Sequence, residues 1–377
     1  MAGVYLHIPF CKTRCSYCDF FSGTNFKSRS ELIAAMQKEI AERKDYLHLA
    51  PVSTIYFGGG TPSILPVSDI KSLLNAVNSN FQVDKDAEIT LEANPDDLNA
   101  EYLNELRSIH INRLSMGIQS FDNEQLKAIR RRHTAEAAIQ AVKEAQSAGF
   151  DNISIDLIYG LPGQMLQSWN EQLDKAFSLN IQHISAYGLT YEKNTLLWQQ
   201  RQKGTVQAVD DETMIAMYKS LVKRAAENGF EQYEISNFSR SGYRSRHNSA
   251  YWKQEPYLGV GPAAHSYDGN SRQWNVASIP HYCENINSDK QYYEQEILSE
   301  QDKYNDFIMV SLRTIEGINL DNLNRQFGKK RAEYCLVNAQ KYIESGKMCI
   351  KDHFLRLNQE GILISDRIIV DLMIVEE

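Results

Sequence analysis

Through its first 190 residues the chain alternates short apolar runs with longer stretches in which apolar residues recur every three or four positions. The runs at 4–9, 54–57, 88–92, 113–118, 153–158 and 183–189 are rich in Ile, Val, Tyr and Leu and predict six strands. The stretches between them predict helices. Ile33, Met36 and Ile40 share one helical face behind Ser28 and Glu31, which are spaced as a capping box. Ile70, Leu73, Leu74 and Val77 repeat the pattern, as do Leu98, Tyr102, Leu103 and Leu106. Ile139, Val142 and Ala145 follow Thr134, a candidate N-cap. A strand about every 30–40 residues, with a helix between, fits repeated βαβ units around a parallel sheet.

Beyond residue 195 the pattern loosens. A helix is expected at 212–228 and a strand at 232–235, before a stretch rich in Gly, Ser, Arg and aromatic residues. The polar, tyrosine-rich segment 282–295 reads as a linker. From 297 the order is helix, short helix, helix and two small strands: 302–314, 320–327, 332–345, then 348–350 with 354–357, and a last helix from Glu360. The expected organisation is an α/β unit over 1–240, a connecting region over 241–296, and a compact winged-helix-like α+β unit over 297–377.

Composition narrows the possibilities. A chain of 377 residues, 42% hydrophobic and 23% charged, suits a globular protein with one large domain and a smaller one. No apolar run approaches the ~18 residues of a membrane helix. Residues 1–6 hold neither a basic region nor a signal-peptide core, so the expected location is the cytoplasm, with peripheral membrane contact left to a partner. Forty basic residues against 48 acidic give a formal charge of −8, and the C-terminal unit holds 11 basic against 13 acidic. That balance argues against a nucleic-acid partner, which calls for a basic field.

The chemistry gathers where strands end. Cys11, Cys15 and Cys18 follow the first strand directly, whereas Cys283, Cys335 and Cys349 are scattered and read as small hydrophobes. Three thiolates on one loop can hold three irons of a [4Fe–4S] cluster and leave the fourth open to a small molecule. The plainer alternative is half of a structural zinc site completed by His7 or a distant residue, although no second Cys-x2-Cys half is present. Later strands run into Gly58-Gly59-Gly60-Thr61-Pro62, Glu92-Ala93-Asn94-Pro95, Gly117-Ile118-Gln119-Ser120, Tyr159-Gly160-Leu161-Pro162 and Tyr187-Gly188-Leu189-Thr190. In a parallel αβ barrel such ends form the ligand-binding face. Glycines there either make tight turns or let a cofactor approach the backbone. Glu92 and Asp156 either pair with an arginine such as Arg113 or Arg131, or bind cofactor hydroxyl and amino groups.

On these residues the chain resembles the radical S-adenosylmethionine (SAM) enzymes. Tyr5-Leu6-His7-Ile8-Pro9-Phe10-Cys11, Met116-Gly117-Ile118-Gln119-Ser120-Phe121 and Ile155-Asp156-Leu157-Ile158-Tyr159-Gly160-Leu161-Pro162 are similar to signatures of the coproporphyrinogen dehydrogenase (HemN) group. The likeness covers nearly the whole chain, including a HemN-like C-terminal domain. It implies an α/β fold, a partial (β/α)6 TIM-like barrel, with a [4Fe–4S] cluster on Cys11, Cys15 and Cys18. It implies one SAM on the open iron among Tyr5, Gly59, Glu92 and His265. A second SAM in the dehydrogenases would correspond to Tyr17, Gly60, Thr61, Gln119, Arg131, Asp156 and Thr190. An electron donor such as flavodoxin is implied as well.

Two features depart from the dehydrogenases. They carry a further cysteine two positions after the third, where this chain has Phe20, and an N-terminal extension before the first strand. On both counts, and in His247-Asn248-Ser249-Ala250-Tyr251-Trp252 followed by residues 256–261, the chain resembles the HemW-type haem chaperones. That resemblance implies bound haem, with haem-accepting respiratory proteins as partners. His247 is then a candidate iron ligand, with Tyr251 and Trp252 against the porphyrin. The alternative for His247 is a histidine hydrogen-bonded to backbone in a packed aromatic corner. Competing readings of the whole are an oxygen-independent coproporphyrinogen III dehydrogenase and a zinc-stabilised scaffold without redox chemistry.

Overall fold

The computed structural model describes residues 1–375. Six strands, β1 (Ala2–Ile8), β2 (Val52–Gly59), β3 (Val83–Ala93), β4 (Arg113–Gln119), β5 (Ile153–Tyr159) and β6 (His183–Gly188), lie side by side in chain order. Every neighbouring pair among them is parallel. The returns are helical: α1 (Arg29–Glu42), α2 (Val67–Asn80), α3 (Ala100–Ser108), α4 (Asn123–Ala128) with α5 (Ala135–Ser147), and α6 (Leu166–Ser178). Thr134 caps α5 as expected, accepting from the Ala137 amide at 3.2 Å. Ser28 makes no such side-chain bond, so the capping box expected before α1 is absent.

A two-residue period runs through all six strands and separates two faces. Val4, Leu6 and Ile8 of β1, Ile55 and Phe57 of β2, and Ile89 and Leu91 of β3 join the large core beneath the helices. Leu114 and Met116 of β4, Ile155 and Leu157 of β5 and Ile184 of β6 continue it. The intervening positions carry Tyr5, Tyr56, Glu92, Arg113, Asp156 and His183, which form a polar inner face. Residues at the carboxyl ends of β1 and β6 line one cavity, so the sheet curls around that face.

Both edges extend the sheet, to twelve strands. After α7 (Leu196–Gln202) and α8 (Asp211–Glu227), β7 (Glu231–Gln232) and β8 (Asn237–Ser239) continue beyond β6. Next comes α9 (Arg246–Trp252), then β9 (Tyr257–Val260), which pairs parallel to β1. Outside it lie β10 (His265–Tyr267), β11 (Ser271–Asn275) and β12 (Tyr293–Ile297). The linker expected at 282–295 is corrected here, because most of α10 (Ile279–Asn287) and the start of β12 occupy it. Ser278 caps α10, with Pro280 in its first turn, and Tyr282, Cys283 and Ile286 are buried. Its tyrosines pack edge to face, Tyr282 against Tyr292 at 5.9 Å.

The C-terminal unit has its own core around Tyr304, Leu323, Cys335, Leu355 and Ile368. It holds α11 (Glu300–Arg313), two helices over Leu320–Glu344 that meet at Gly328, whose backbone is non-helical with φ +79°, and a three-stranded antiparallel sheet. The break falls between the two helices the sequence predicts. Cys349 is exposed, unlike Cys283 and Cys335, which corrects its reading as a core residue. Among the described residues no helix is long and apolar enough to cross a membrane.

Candidate functional site

β1 leads into the cysteine loop, which is clamped to its surroundings by backbone bonds. Gly60 N–H donates to Ile8 O and Thr61 N–H to Phe10 O, both at 2.8 Å; Cys11 N–H donates to Gly23 O at 2.9 Å. Further along, Ser16 N–H donates to Ile129 O and accepts at its carbonyl from Leu197 N–H. Gly60 is required by contact: a Cβ there would come within 2.6 Å of Phe10 O and 3.0 Å of Cys11 Sγ. Gly59 has φ +108°, and a Cβ on it would strike the His7 ring at 2.7 Å.

Cys11, Cys15 and Cys18 line one cavity of about 470 Å³ at the carboxyl ends of the strands. Tyr17 and Phe20 from the same loop reach it, and the Phe20 side chain is 64% exposed. Gly59, Gly60 and Thr61 contribute from β2, and Glu92 from β3. Gln119, Arg131, Asp156 and Thr190 close the ring. Burial pushes the Cys18 thiol up to about 11, with the Cys15 and Cys11 thiols adding to the rise. Crowded thiols of this kind ionise when they ligate a metal, so their chemistry fits an iron–sulfur cluster.

Arg131 secures the opposite wall. It donates to Cys15 Sγ at 3.4 Å, to Asn94 Oδ1 at 2.5 Å and to the Gly117 carbonyl. Gln119 sits beside it with φ +68°, where the β4–β5 register shifts. Such backbone strain persists where the surroundings fix it, commonly at ligand sites. Glu92 accepts from the Tyr56 hydroxyl at 2.8 Å, and Asp156 from Ser115 at 3.3 Å. Burial raises Glu92 to about 7 and Asp156 to about 6. Among the described residues neither carboxylate has an arginine within ion-pair distance, so the direct Arg113 or Arg131 pairing is not formed. Arg113 acts on both only at longer range.

Three expected residues do not line this cavity. Tyr5 lies beneath it, donating to His7 Nδ1 at 3.1 Å, while His7 Nε2 meets the Phe21 carbonyl at 3.0 Å. Both His7 nitrogens are thus engaged, which leaves none to complete a zinc site. His265 stands on β10 opposite Trp274, close enough to His7 to disfavour a charge on it. His247 lies deeper, at the amino end of the barrel. Its Nδ1 meets Thr54 Oγ1 at 2.8 Å, its Nε2 meets the Tyr251 hydroxyl at 2.9 Å, and its ring stacks on Tyr56 with centroids 4.9 Å apart. Glu88 accepts from the Arg246 and His247 amides, both at 3.0 Å, and fixes the first turn of α9. Burial drives His247 down to about 3, so it is neutral, and neither ring nitrogen is free for iron in this arrangement.

Sequence reasoning passed over Tyr56, Asn94 and Ser115 as site residues. Tyr56 and Ser115 were legible as the inward positions two residues before Gly58 and Gly117. Asn94 was not, because its role is to accept from an arginine 37 residues away.

Comparison with known proteins gives a consistent result. The radical SAM superfamily model matches residues 5–176 and the HemN C-terminal domain model residues 298–364. A protein named heme chaperone HemW from Bacillus subtilis is 34% identical over 333 residues, 87% of this chain and 88% of that one. A protein of the same name from Lactococcus lactis is 33% identical, over 86% and 84% of the two chains. The mitochondrial radical S-adenosyl methionine domain-containing protein 1 of Danio rerio is 31% identical, over 99% and 87%. The solved structure of coproporphyrinogen III oxidase (HemN) from Escherichia coli superposes with a TM-score of 0.86 at 22% identity, over 99% and 90%, which speaks for the fold.

Proposed function

The chain belongs to the radical SAM superfamily and, within it, to the HemW branch, and on that premise we propose that it is a haem chaperone that delivers haem to haem-requiring respiratory proteins in the cytoplasm. The observation that carries this reading is the joint presence of the three-cysteine cavity with Phe20, not a fourth cysteine, on its rim.

In this reading Cys11, Cys15 and Cys18 hold a [4Fe–4S] cluster. A reduced cluster supplies, when bound, one electron for cleaving the sulfonium of SAM. The chain binds, orients and shields. Gly59 and Gly60 would lie against the cofactor, and Glu92 would accept from its amino group. Asp156, Gln119, Arg131, Thr61, Thr190 and Tyr17 form the polar wall facing a cofactor in the remaining space. Tyr5 and His265 act through His7 behind the glycine turn, and the curled sheet excludes water from the reacting sulfur.

The test is to incubate the anaerobically reconstituted chain with SAM, a reductant and coproporphyrinogen III, and in parallel to follow haem from the loaded chain into an apo-haem protein. Haem transfer without decarboxylation is expected. Protoporphyrinogen formed over several turnovers would make the chain a dehydrogenase and remove the meaning given to Phe20.

A further inference from the structure

A second cavity, of about 660 Å³, lies at the other end of the barrel, between α9, the amino-terminal edge of the sheet and the C-terminal unit. Its apolar surface comes from Met1, Ala250 and Trp252 on one side and Phe307, Val310 and Phe354 on the other. Arg244, Arg246 and Lys253 supply its positive charge. Glu316 pairs with Arg244 at 2.7 Å, and Glu255 is the other acidic side chain lining it. Arg246 donates to the Asp86 carbonyl at 2.6 Å, with the Asp86 carboxylate 3.7 Å away. Lys253 has no ion pair among the described residues. The indole N–H of Trp252 is buried and has no hydrogen-bond partner among the described residues.

The volume is that of a cofactor pocket. Aromatic walls, with three basic side chains against two acidic ones and Lys253 left without an ion pair among the described residues, suit a large flat apolar molecule with anionic ends. We infer that haem is held in this cavity, its ring against Trp252 and the phenylalanines and its propionates toward Arg246 and Lys253; this rests on the haem-chaperone reading above. His247 shares α9 with Trp252 but is committed to the barrel interior through Thr54, Tyr56 and Tyr251.

Among the described residues no histidine or cysteine lines the cavity; Met1 does, and the cavity's one phenol, Tyr233, is engaged by His183 at 2.7 Å. Haem seated there would be retained without an imidazole–iron or thiolate–iron bond, so handing it on would break no such bond. The seven residues of β4 also separate it from the cluster loop by about 20 Å, beyond contact with SAM.

The test titrates haem into the full, cluster-loaded chain by absorbance, comparing wild type with Arg246→Glu/Lys253→Glu and with His247→Gln. The double variant is expected to bind haem at least tenfold more weakly, with iron, sulfide and SAM affinity unchanged, while His247→Gln stays within twofold. Wild-type affinity in the double variant overturns the inference, as does a tenfold loss in His247→Gln whatever the double variant does. Should the double variant fold poorly, haem quenching of fluorescence decides. Trp252→Phe is expected to remove the most strongly quenched component, and unchanged quenching places haem elsewhere. A wild-type chain that binds no haem fails the chaperone reading itself, before any variant is compared.

Discussion

At the scale of single residues, burial moves the Glu92 carboxyl from the ordinary 4.5 to about 7, against the pull of the Tyr56 hydroxyl and with Asp156 adding to the rise. Because the folded value is raised, this group's contribution to stability is complete below about pH 4.5 and is lost as pH climbs through 7. The loss is on the order of 3 kcal/mol. Glu92→Gln is therefore expected to be more stable than wild type at pH 8, with the gap closing toward pH 5, as read by denaturant unfolding of the cofactor-free chain. On the proposed contact between Glu92 and the SAM amino group, SAM affinity should move the other way. Between pH 8 and 6 the ionised fraction falls about tenfold, and wild-type affinity should follow it while Glu92→Gln binds weakly and without pH dependence. Titration calorimetry showing a flat wild-type profile would take Glu92 out of the SAM contact. Gly60 makes a second residue-level case. Its neighbours Phe10 and Cys11 are backbone-clamped, so a Cβ has no room to gain by small shifts. Gly60→Ala should load less than half the wild-type iron and sulfide on reconstitution, and equal loading would show that the loop yields.

At the scale of elements, the six parallel strands were legible because each joins apolar positions to a glycine or polar motif at its carboxyl end. The extension of the sheet was not. β9 to β12 are short, and Tyr257, Tyr267 and Tyr293 look polar in a sequence although they pack against one another or the core. The site was legible where it is local, as in the cysteine loop and the glycine turn. It was not where a residue's partner is remote, as with Arg131 and Asn94, or where an element turns a residue away from the cavity, as α9 does with His247. The same remoteness hides Glu39 on α1, a fully buried carboxylate paired with Arg43 at 3.2 Å. It accepts from the Gly261 amide and the Asn275 side chain, both at 2.8 Å, and from the Tyr282 hydroxyl. One side chain thereby ties α1 to β11, α10 and the turn before His265. Removing it leaves Arg43 buried and uncompensated, so Glu39→Ala should cost about 3–5 kcal/mol in chemical denaturation. A loss under about 1 kcal/mol would mean that the edge strands dock without it.

At the scale of the molecule, two hydrophobic cores meet along a seam where Ile362 packs against both and polar contacts also cross. Ile235 N–H donates to Arg313 O at 3.1 Å and Ile315 N–H to Tyr233 O at 3.2 Å. Ion pairs cross it, Arg244 with Glu316, Lys219 with Glu360 and Arg272 with Asp306. The Arg244 and Lys219 pairs are exposed, and such pairs are weak singly and are screened by salt. The barrel and the C-terminal unit should therefore unfold as two overlapping calorimetric transitions in low salt that separate further in 1 M salt. A ligand bound only within one unit stabilises that unit, whereas a ligand spanning the seam stabilises both and couples them. SAM, seated among the strand ends, should raise the barrel transition alone. Haem in the cavity shared by Trp252, Phe307 and Phe354 should raise both transitions and draw them together. If haem shifts only the barrel transition and leaves the C-terminal one in place, its site lies inside the barrel with SAM, and the two ends of the molecule do not divide the work between them.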